Sequence, residues 1–355
     1  MTELATPDLT VRGAGIFGLS VAWAAARRGA RVRVTDVAHV GAGASGGVVG
    51  AMAPHVPEGW NDKKAFQLES LLMAEAWWAE VQARGGVSAG YARTGRLQPL
   101  ADADAVAMAH ARAEGAARLW QGRAVWRVVP LRGAAWEPVS PTGLLVEDTL
   151  TARIAPRAAL AALVAAIRAT GGEVVTGVTE QEAVGPVVWA TGAAGLQALS
   201  RDLGRPAGAG QKGQAALLAL SLPESPQIFA EGVHLVPHAD GTVAVGSTTE
   251  PDASDPGTDA RLDALIARAR GLCPALAKAT VVARWAGFRP RATHRAPVLG
   301  AWPGRAGRYI ANGGFKIGFG MAPGVAEAMA DLVLEGRDRI PAAFGIEALL
   351  SRPGR

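Results

Sequence analysis

Two stretches decide the fold: Leu9-Thr10-Val11-Arg12-Gly13-Ala14-Gly15-Ile16-Phe17-Gly18-Leu19, and Val32-Arg33-Val34-Thr35-Asp36 a short way downstream. Leu9 to Val11 reads as a short buried strand, a helix is expected from Leu19 to about Arg28, and Val32 and Val34 alternate in a second strand that ends at Asp36. The result is a βαβ unit. Its glycines have separate tasks. Gly13 permits the tight turn, Gly15 lets the backbone approach a pyrophosphate, and Gly18 lets the helix pack closely on the strand. The helix N-terminus then faces the phosphates. Asp36, eighteen positions beyond Gly18, stands where a carboxylate accepts hydrogen bonds from the ribose of an adenosine. A bound dinucleotide is the expectation.

Gly41-Ala42-Gly43-Ala44-Ser45-Gly46-Gly47-Val48-Val49-Gly50-Ala51-Met52-Ala53-Pro54 is a long run of mostly small residues directly after the acidic strand end. Small side chains let the backbone wrap an extended ligand, which favours FAD over NAD. The 355 residues suffice for two domains, and the 49% hydrophobic fraction is that of an ordinary globular chain. The formal charge of +5 comes from basic residues dispersed among acids, so no nucleic-acid partner is expected. The single cysteine, Cys273, excludes an intrachain disulfide and a multi-cysteine metal site, which agrees with a cytoplasmic enzyme. No run approaches the roughly 18 apolar residues of a membrane span. His110, His238 and His294 lack metal-ligand spacing and are expected on loops or exposed helix faces; no metal is expected.

Read together, the glycine motif and the small-residue run resemble the D-amino-acid oxidase family of FAD enzymes, and within it the glycine oxidase and sarcosine oxidase branch. Further stretches match in order. Val187-Val188-Trp189-Ala190-Thr191-Gly192 looks like the family's second dinucleotide signature, and Lys212-Gly213-Gln214 resembles its basic-Gly-Gln turn into the substrate domain. His234-Leu235-Val236-Pro237, Asp240-Gly241 and Val245-Gly246-Ser247-Thr248 look like its hairpin over the flavin. Trp285-Ala286-Gly287-Phe288-Arg289-Pro290 resembles the segment that carries the substrate-carboxylate arginine. Ala311-Asn312-Gly313-Gly314-Phe315-Lys316-Ile317-Gly318 corresponds to the glycine-rich loop against the flavin ring.

The resemblance implies noncovalent FAD, held by Gly13, Gly15, Ile16, Phe17, Gly18, Asp36, Ala44, Ser45, Gly50, Met52, Thr191, Gly192 and the run from Gly313 to Gly318. His55 is an alternative covalent attachment point, since some relatives link FAD through histidine. It also implies oxidation of the C–N bond of glycine, sarcosine or a D-amino acid by hydride transfer to flavin N5. The resulting imine hydrolyses to a 2-oxo acid, with oxygen or another electron acceptor.

Arg289 is the candidate carboxylate anchor, because a guanidinium fork fixes a carboxylate by two parallel hydrogen bonds. Lys316 stands where glycine oxidases tend to carry an arginine, and His234 where they place a tyrosine; a histidine titrating near neutral pH would make activity pH-dependent. A helix from Pro323 to Glu335 would aim its N-terminus at the flavin. Arg12, before the first motif glycine, and the short stretch from Val178 to Val187 depart from the family pattern. Two alternatives stay open: an FAD enzyme of tRNA modification acting on a carboxymethylaminomethyl group, and a noncatalytic flavin- or nucleotide-binding protein.

The expected architecture is α/β, with a discontinuous Rossmann-type FAD-binding domain (1–83, 154–203 and 287–355) and a smaller, mostly antiparallel β-sheet substrate domain (84–153 and 204–286). Tyr91 to Leu100 and Gln214 to Leu222 read as strands of the latter, and Leu262, Leu265, Ile266 and Ala269 mark a helix on its flank. Ten tryptophans leave a homo-oligomer open.

Overall fold

The computed structural model describes residues 6–179, 183–251 and 254–351. The chain begins with β1 (Leu9–Arg12), α1 (Ile16–Ala26), β2 (Val32–Asp36), β3 (Ala51–Met52) and α2 (Asp62–Gly85). It continues through β4 (Arg96–Pro99), α3 (Ala103–Trp120), β5 (Trp126–Pro130), β6 (Leu144–Asp148), β7 (Ala152–Arg153), α4 (Pro156–Ala169) and β8 (Glu173–Thr176). Next come β9 (Val187–Trp189), α5 (Gly192–Leu203), β10 (Gly208–Ala219), β11 (Gln227–Ala230), β12 (Val233–Pro237), β13 (Thr242–Gly246) and α6 (Ala260–Leu272). The last elements are β14 (Val281–Ala292), β15 (Val298–Ala301), β16 (Arg308–Asn312), α7 (Gly318–Glu335) and α8 (Ile346–Leu350).

Six strands form one sheet in the order β15-β16-β9-β1-β2-β8, parallel except at its β15 edge. The βαβ unit read from the sequence lies at its centre, with Leu9 opposite Val32 and Val11 opposite Val34. Every residue of α1 is buried, because α4 and α7 pack against it on one face of the sheet and α2 packs in turn on both of them. An all-round apolar helix is what such a position requires. Leu196 and Leu199 of α5 cover the other face against Val298, Trp302 and Ile310.

Eight strands form the second sheet, β14-β10-β13-β12-β11-β4-β6-β5, antiparallel except for the β11·β4 pair. Leu218, Leu235, Val243 and Val245 from this sheet bury themselves under Leu262, Leu265 and Ile266 of α6. The two longest strands, β10 and β14, run side by side and bring the second sheet over the carboxyl ends of the first.

Several boundaries differ from expectation. Helix α1 starts at Ile16 rather than Leu19, because extended Gly15 is its N-cap. Lys212-Gly213-Gln214 is not a turn: it lies within β10, paired with 286–288 of β14. Of Tyr91 to Leu100 only Arg96–Pro99 is strand, and the strand expected from Gln214 to Leu222 runs from Gly208 to Ala219. The stretch 84–153 also holds a helix of 18 residues, α3, that the strand reading did not anticipate. Helix α7 starts at Gly318, ahead of Pro323. Pro323 has no N–H to donate, and the next amide, Gly324 N, donates instead to Ser70 Oγ of α2. His110 lies on an exposed face of α3 and His238 and His294 lie on loops, as expected, but the two loop histidines are buried, and His238 Nε2 pairs with the Val48 carbonyl. Of the short stretch from Val178 to Val187, residues 180–182 lie outside the described ones.

Candidate active site

A cleft of about 1140 Å³ opens where the carboxyl ends of β1, β2, β9 and β16 face β14. Ligands of open α/β sheets bind at this edge. The helix starts explain what kind of ligand. Helices α2, α3 and α6 are capped by the side chains of Asn61, Asp102 and Asp259. The N-caps of α1, α5 and α7 are Gly15, Thr191 and Ile317, none of which makes a side-chain cap hydrogen bond, and all three line the cleft. Three positive dipole ends therefore converge on one space, an arrangement suited to an anion such as a diphosphate.

The glycine turn is built by close approach. A Cβ on Gly18 would lie 1.9 Å from the Gly13 carbonyl oxygen, and one on Gly13 would lie 2.4 Å from that of Ala190. Gly13 also adopts φ +103°, open to glycine alone without strain. Asp36 braces this turn: Oδ2 accepts from Ala14 N at 2.8 Å and Oδ1 from Ala38 N at 2.9 Å. Ser45 Oγ accepts from Ile16 N at 3.0 Å, tying the small-residue run to the start of α1. Gly13, Gly15, Ile16, Phe17, Asp36, Ala44, Ser45 and Gly50 line the cleft, as do Thr191 and Gly192. Gly18, Met52 and Gly313 do not: Gly18 packs α1 on the turn, Met52 joins the core, and Gly313 lies against the 296–298 backbone.

These residues fit FAD. The cradle admits backbone where any side chain would collide, the amides supply anion donors, and the volume exceeds the roughly 300–1,000 Å³ of ordinary small-ligand pockets. His55 does not line the cleft; its Nδ1 is engaged by Gln67 Oε1. Arg12, the odd residue of the motif, lays its guanidinium 4.3 Å from the Trp189 ring centroid at the cleft edge. Among the described residues no group of three or more histidine, cysteine or acidic side chains is placed to hold a metal ion.

Farther along the cleft stand the three side chains singled out for substrate. Arg289 on β14 is 7% exposed, lines the cleft, and donates from Nη1 to the Thr248 carbonyl at 3.2 Å. Burial lowers its pKa to about 10, against a smaller raising effect of Glu250. Lys316 lines the same space and donates to Thr249 Oγ1 at 2.7 Å; burial first, then Arg289 and Arg291, lower its pKa. His234 on β12 stacks beside Phe229 with ring centroids 4.5 Å apart. Burial, then Arg96 and Lys316, push its pKa down to about 3, so it is neutral near pH 7. Gly314, Phe315, Ile317 and Gly318 complete this wall. Phe315 holds φ +41°, a strained value for a bulky residue, and its N–H donates to the Pro290 carbonyl, binding the loop to the arginine strand.

Sequence reasoning missed three contributors. Buried Asn312 ties the two glycine stretches together: Nδ2 donates to the Gly192 carbonyl and Oδ1 accepts from Gly313 N, both at 2.8 Å. Thr248 offers its carbonyl to Arg289, and Trp285 closes the cleft against Gly47. A backbone acceptor leaves no trace in residue type; Asn312 stood in the quoted loop and gave no signal beyond its place before two glycines.

The family model described as FAD dependent oxidoreductase matches residues 8–332. A glycine oxidase of Pseudomonas putida is 39% identical over 127 residues, 35% of this chain and 34% of that protein. A glycine oxidase of Geobacillus kaustophilus is 27% identical over 371 residues, 92% of each chain. The crystal structure of glycine oxidase from Geobacillus kaustophilus superposes with a TM-score of 0.82 at 22% identity, covering 98% of this chain and 100% of that one, a likeness of fold. The matched stretch spans about a third of the length of the Pseudomonas putida relative. With the cradle, the converging helix starts and a match from residue 8 to residue 332, the chain belongs to the FAD dependent oxidoreductase family, in its glycine oxidase-like branch.

Proposed function

We propose that the protein oxidises the C–N bond of a small amino acid, with glycine, sarcosine and D-amino acids as the candidates, and that the imine formed hydrolyses to a 2-oxo acid. The observation that carries this reading is Arg289: a buried guanidinium on the cleft wall opposite the dinucleotide turn, with one nitrogen fixed by a backbone carbonyl. A buried cation facing a ligand space is costly without an anionic partner, and a substrate carboxylate is that partner. Neutral His234 offers a hydrogen bond without competing for the carboxylate. Bound FAD supplies the two-electron acceptor. The cradle from Gly13 to Gly18 with Ser45 and Asp36 would hold its adenosine diphosphate side and the loop from Gly314 to Gly318 its ring side, where the start of α7 would favour negative charge. Reoxidation falls to oxygen or another acceptor.

We further propose that 1–83, 154–203 and 287–355 form the cofactor unit and 84–153 and 204–286 the substrate unit, joined along β14, which passes unbroken through residues 286 and 287. Cys273 is free and buried, in keeping with a cytoplasmic setting, and among the described residues no helix is long and apolar enough to cross a membrane.

The test is anaerobic mixing of the holoenzyme with glycine, sarcosine, proline and several D-amino acids; if the flavin keeps its colour with all of them, amine oxidation loses its support. Arg289→Leu should lower kcat/KM for the active substrate by about ten- to a hundredfold, the worth of a charge-assisted hydrogen-bonded pair. An unchanged kcat/KM contradicts the anchor.

A further inference from the structure

Arg289 crosses a neighbouring strand to reach its fixed position. It starts on β14 and pairs with Gln211 of β10, while the carbonyl that holds its Nη1 belongs to Thr248, on the chain that continues β13 beyond β10. In the sheet order β14-β10-β13 the guanidinium must pass over β10. Gly213 is the residue it passes over. Gly213 is two residues from Gln211, so it lies on the same face of the strand and diagonal to Arg289. A Cβ at this position would fall 1.7 Å from Arg289 Nη1 and 2.1 Å from both Cζ and Nη2, so the three nearest atoms all belong to the guanidinium. The residue directly opposite, Gly287, is bare as well; there a Cβ would lie 2.5 Å from Cζ2 of the Trp285 ring, which folds back over its own strand.

The edges of the seat are rigid. Gln214 N donates to Thr248 Oγ1 at 2.8 Å, and Thr248 N donates to the Gln214 carbonyl at 3.1 Å. Thr248 Oγ1 in turn donates to Glu250 Oε1 at 2.5 Å, and Gln214 Nε2 donates to the same oxygen at 2.9 Å. The carbonyl that fixes Nη1 is thus locked to the strand that carries Gly213.

Resting on the reading of Arg289 as carboxylate anchor, we propose that Gly213 is a positioning residue for substrate: its missing side chain is the seat across which the Arg289 guanidinium lies, and this sets the direction in which the fork meets a carboxylate. A guanidinium pinned on one edge by a carbonyl and laid over bare backbone has few orientations left, so the substrate it grips inherits a fixed angle to the cofactor. A displacement of about 1 Å at such an anchor is enough to cost roughly a hundredfold in rate.

The experiment uses the FAD-loaded enzyme and acetate, a carboxylate that cannot be oxidised, read by its perturbation of the flavin spectrum. Gly213→Ala should keep the flavin and weaken acetate binding by about tenfold or more, with KM for the oxidised substrate rising in step. In an Arg289→Lys background, where no planar fork lies over the strand, the same change should alter acetate affinity less than about twofold, because the two positions are coupled. Wild-type acetate affinity in Gly213→Ala, or an equal loss in both backgrounds, overturns the seat. Should Gly213→Ala fail to retain FAD, Arg289→Ala combined with it must restore retention if the collision is the cause; continued loss overturns the proposal. Arg289→Leu is run in parallel. If that variant binds acetate normally the anchor reading itself has failed, whereas weak binding there beside normal binding in Gly213→Ala removes the seat alone.

Discussion

Burial has discharged one of the three substrate-facing bases and softened the other two. His234 loses its proton near pH 3, chiefly through desolvation and then through Arg96 and Lys316. Arg289 and Lys316 are shifted the same way, Arg289 to about 10. A base with a lowered pKa carries its charge below that value and loses it as pH rises through it. Acetate affinity should therefore hold steady across neutral pH and decline as pH approaches 10, while His234→Asn leaves the neutral part of the profile unchanged. An inflection in kcat/KM between pH 6 and 7 that disappears in His234→Asn would show that this histidine titrates after all. Arg289 was legible in the sequence because Gly-Phe-Arg-Pro sits in a recognisable segment, and the structure puts it on the cleft. The charge state of His234 was not legible, since it depends on Arg96, which is 138 positions away in the chain and comes close only through the shared sheet. Met52 and Gly313 drew attention as members of motifs, but their places are set by packing: one fills the core and the other lies against a neighbouring strand.

At the scale of elements, helix starts decide what the fold can hold. The βαβ unit was plain in the sequence because its strands alternate and its turn residues admit few other readings. The start of α1 was placed three residues late, since a glycine N-cap carries no side-chain signature. The start of α7 was hidden behind Pro323, which reads as a first-turn residue but sits deeper, tolerated because Ser70 of α2 takes the following amide. Gly18 offers the sharpest test at this scale. Gly18→Ala puts a methyl where the Gly13 carbonyl oxygen is 1.9 Å away, with backbone on both sides of the contact. We expect it to destabilise the protein by about 1–3 kcal/mol or more and to strip FAD on gel filtration. A variant that melts with the wild type and keeps its flavin would mean that α1 can lift off the turn freely.

For the whole molecule, the two sheets are related by β14, one long strand that belongs to the second sheet and presents Trp285, Arg289 and Pro290 to the carboxyl ends of the first. That arrangement was only partly legible. Local periodicity found the pieces, but the pairing of β10 with β14, whose partners run from Leu218 with Val281 to Gly208 with Ala292, is a register no local pattern contains. Part of the scattered charge is spent on ion pairs such as Arg96–Asp148, Arg28–Glu327 and the buried Lys212 among Glu250, Asp255 and Asp259. Adding FAD to the stripped protein should raise its melting temperature progressively with concentration, as binding to the folded form alone requires. A melting temperature indifferent to FAD would mean that α1, α5 and α7 do not need what the cleft receives. If they do, the vitamin from which FAD is made governs more than turnover. In a cell short of riboflavin, the like poles of three helices would be left crowded together with nothing between them, and the protein itself, unfolding more often, would be cleared by proteases before its substrate ran out.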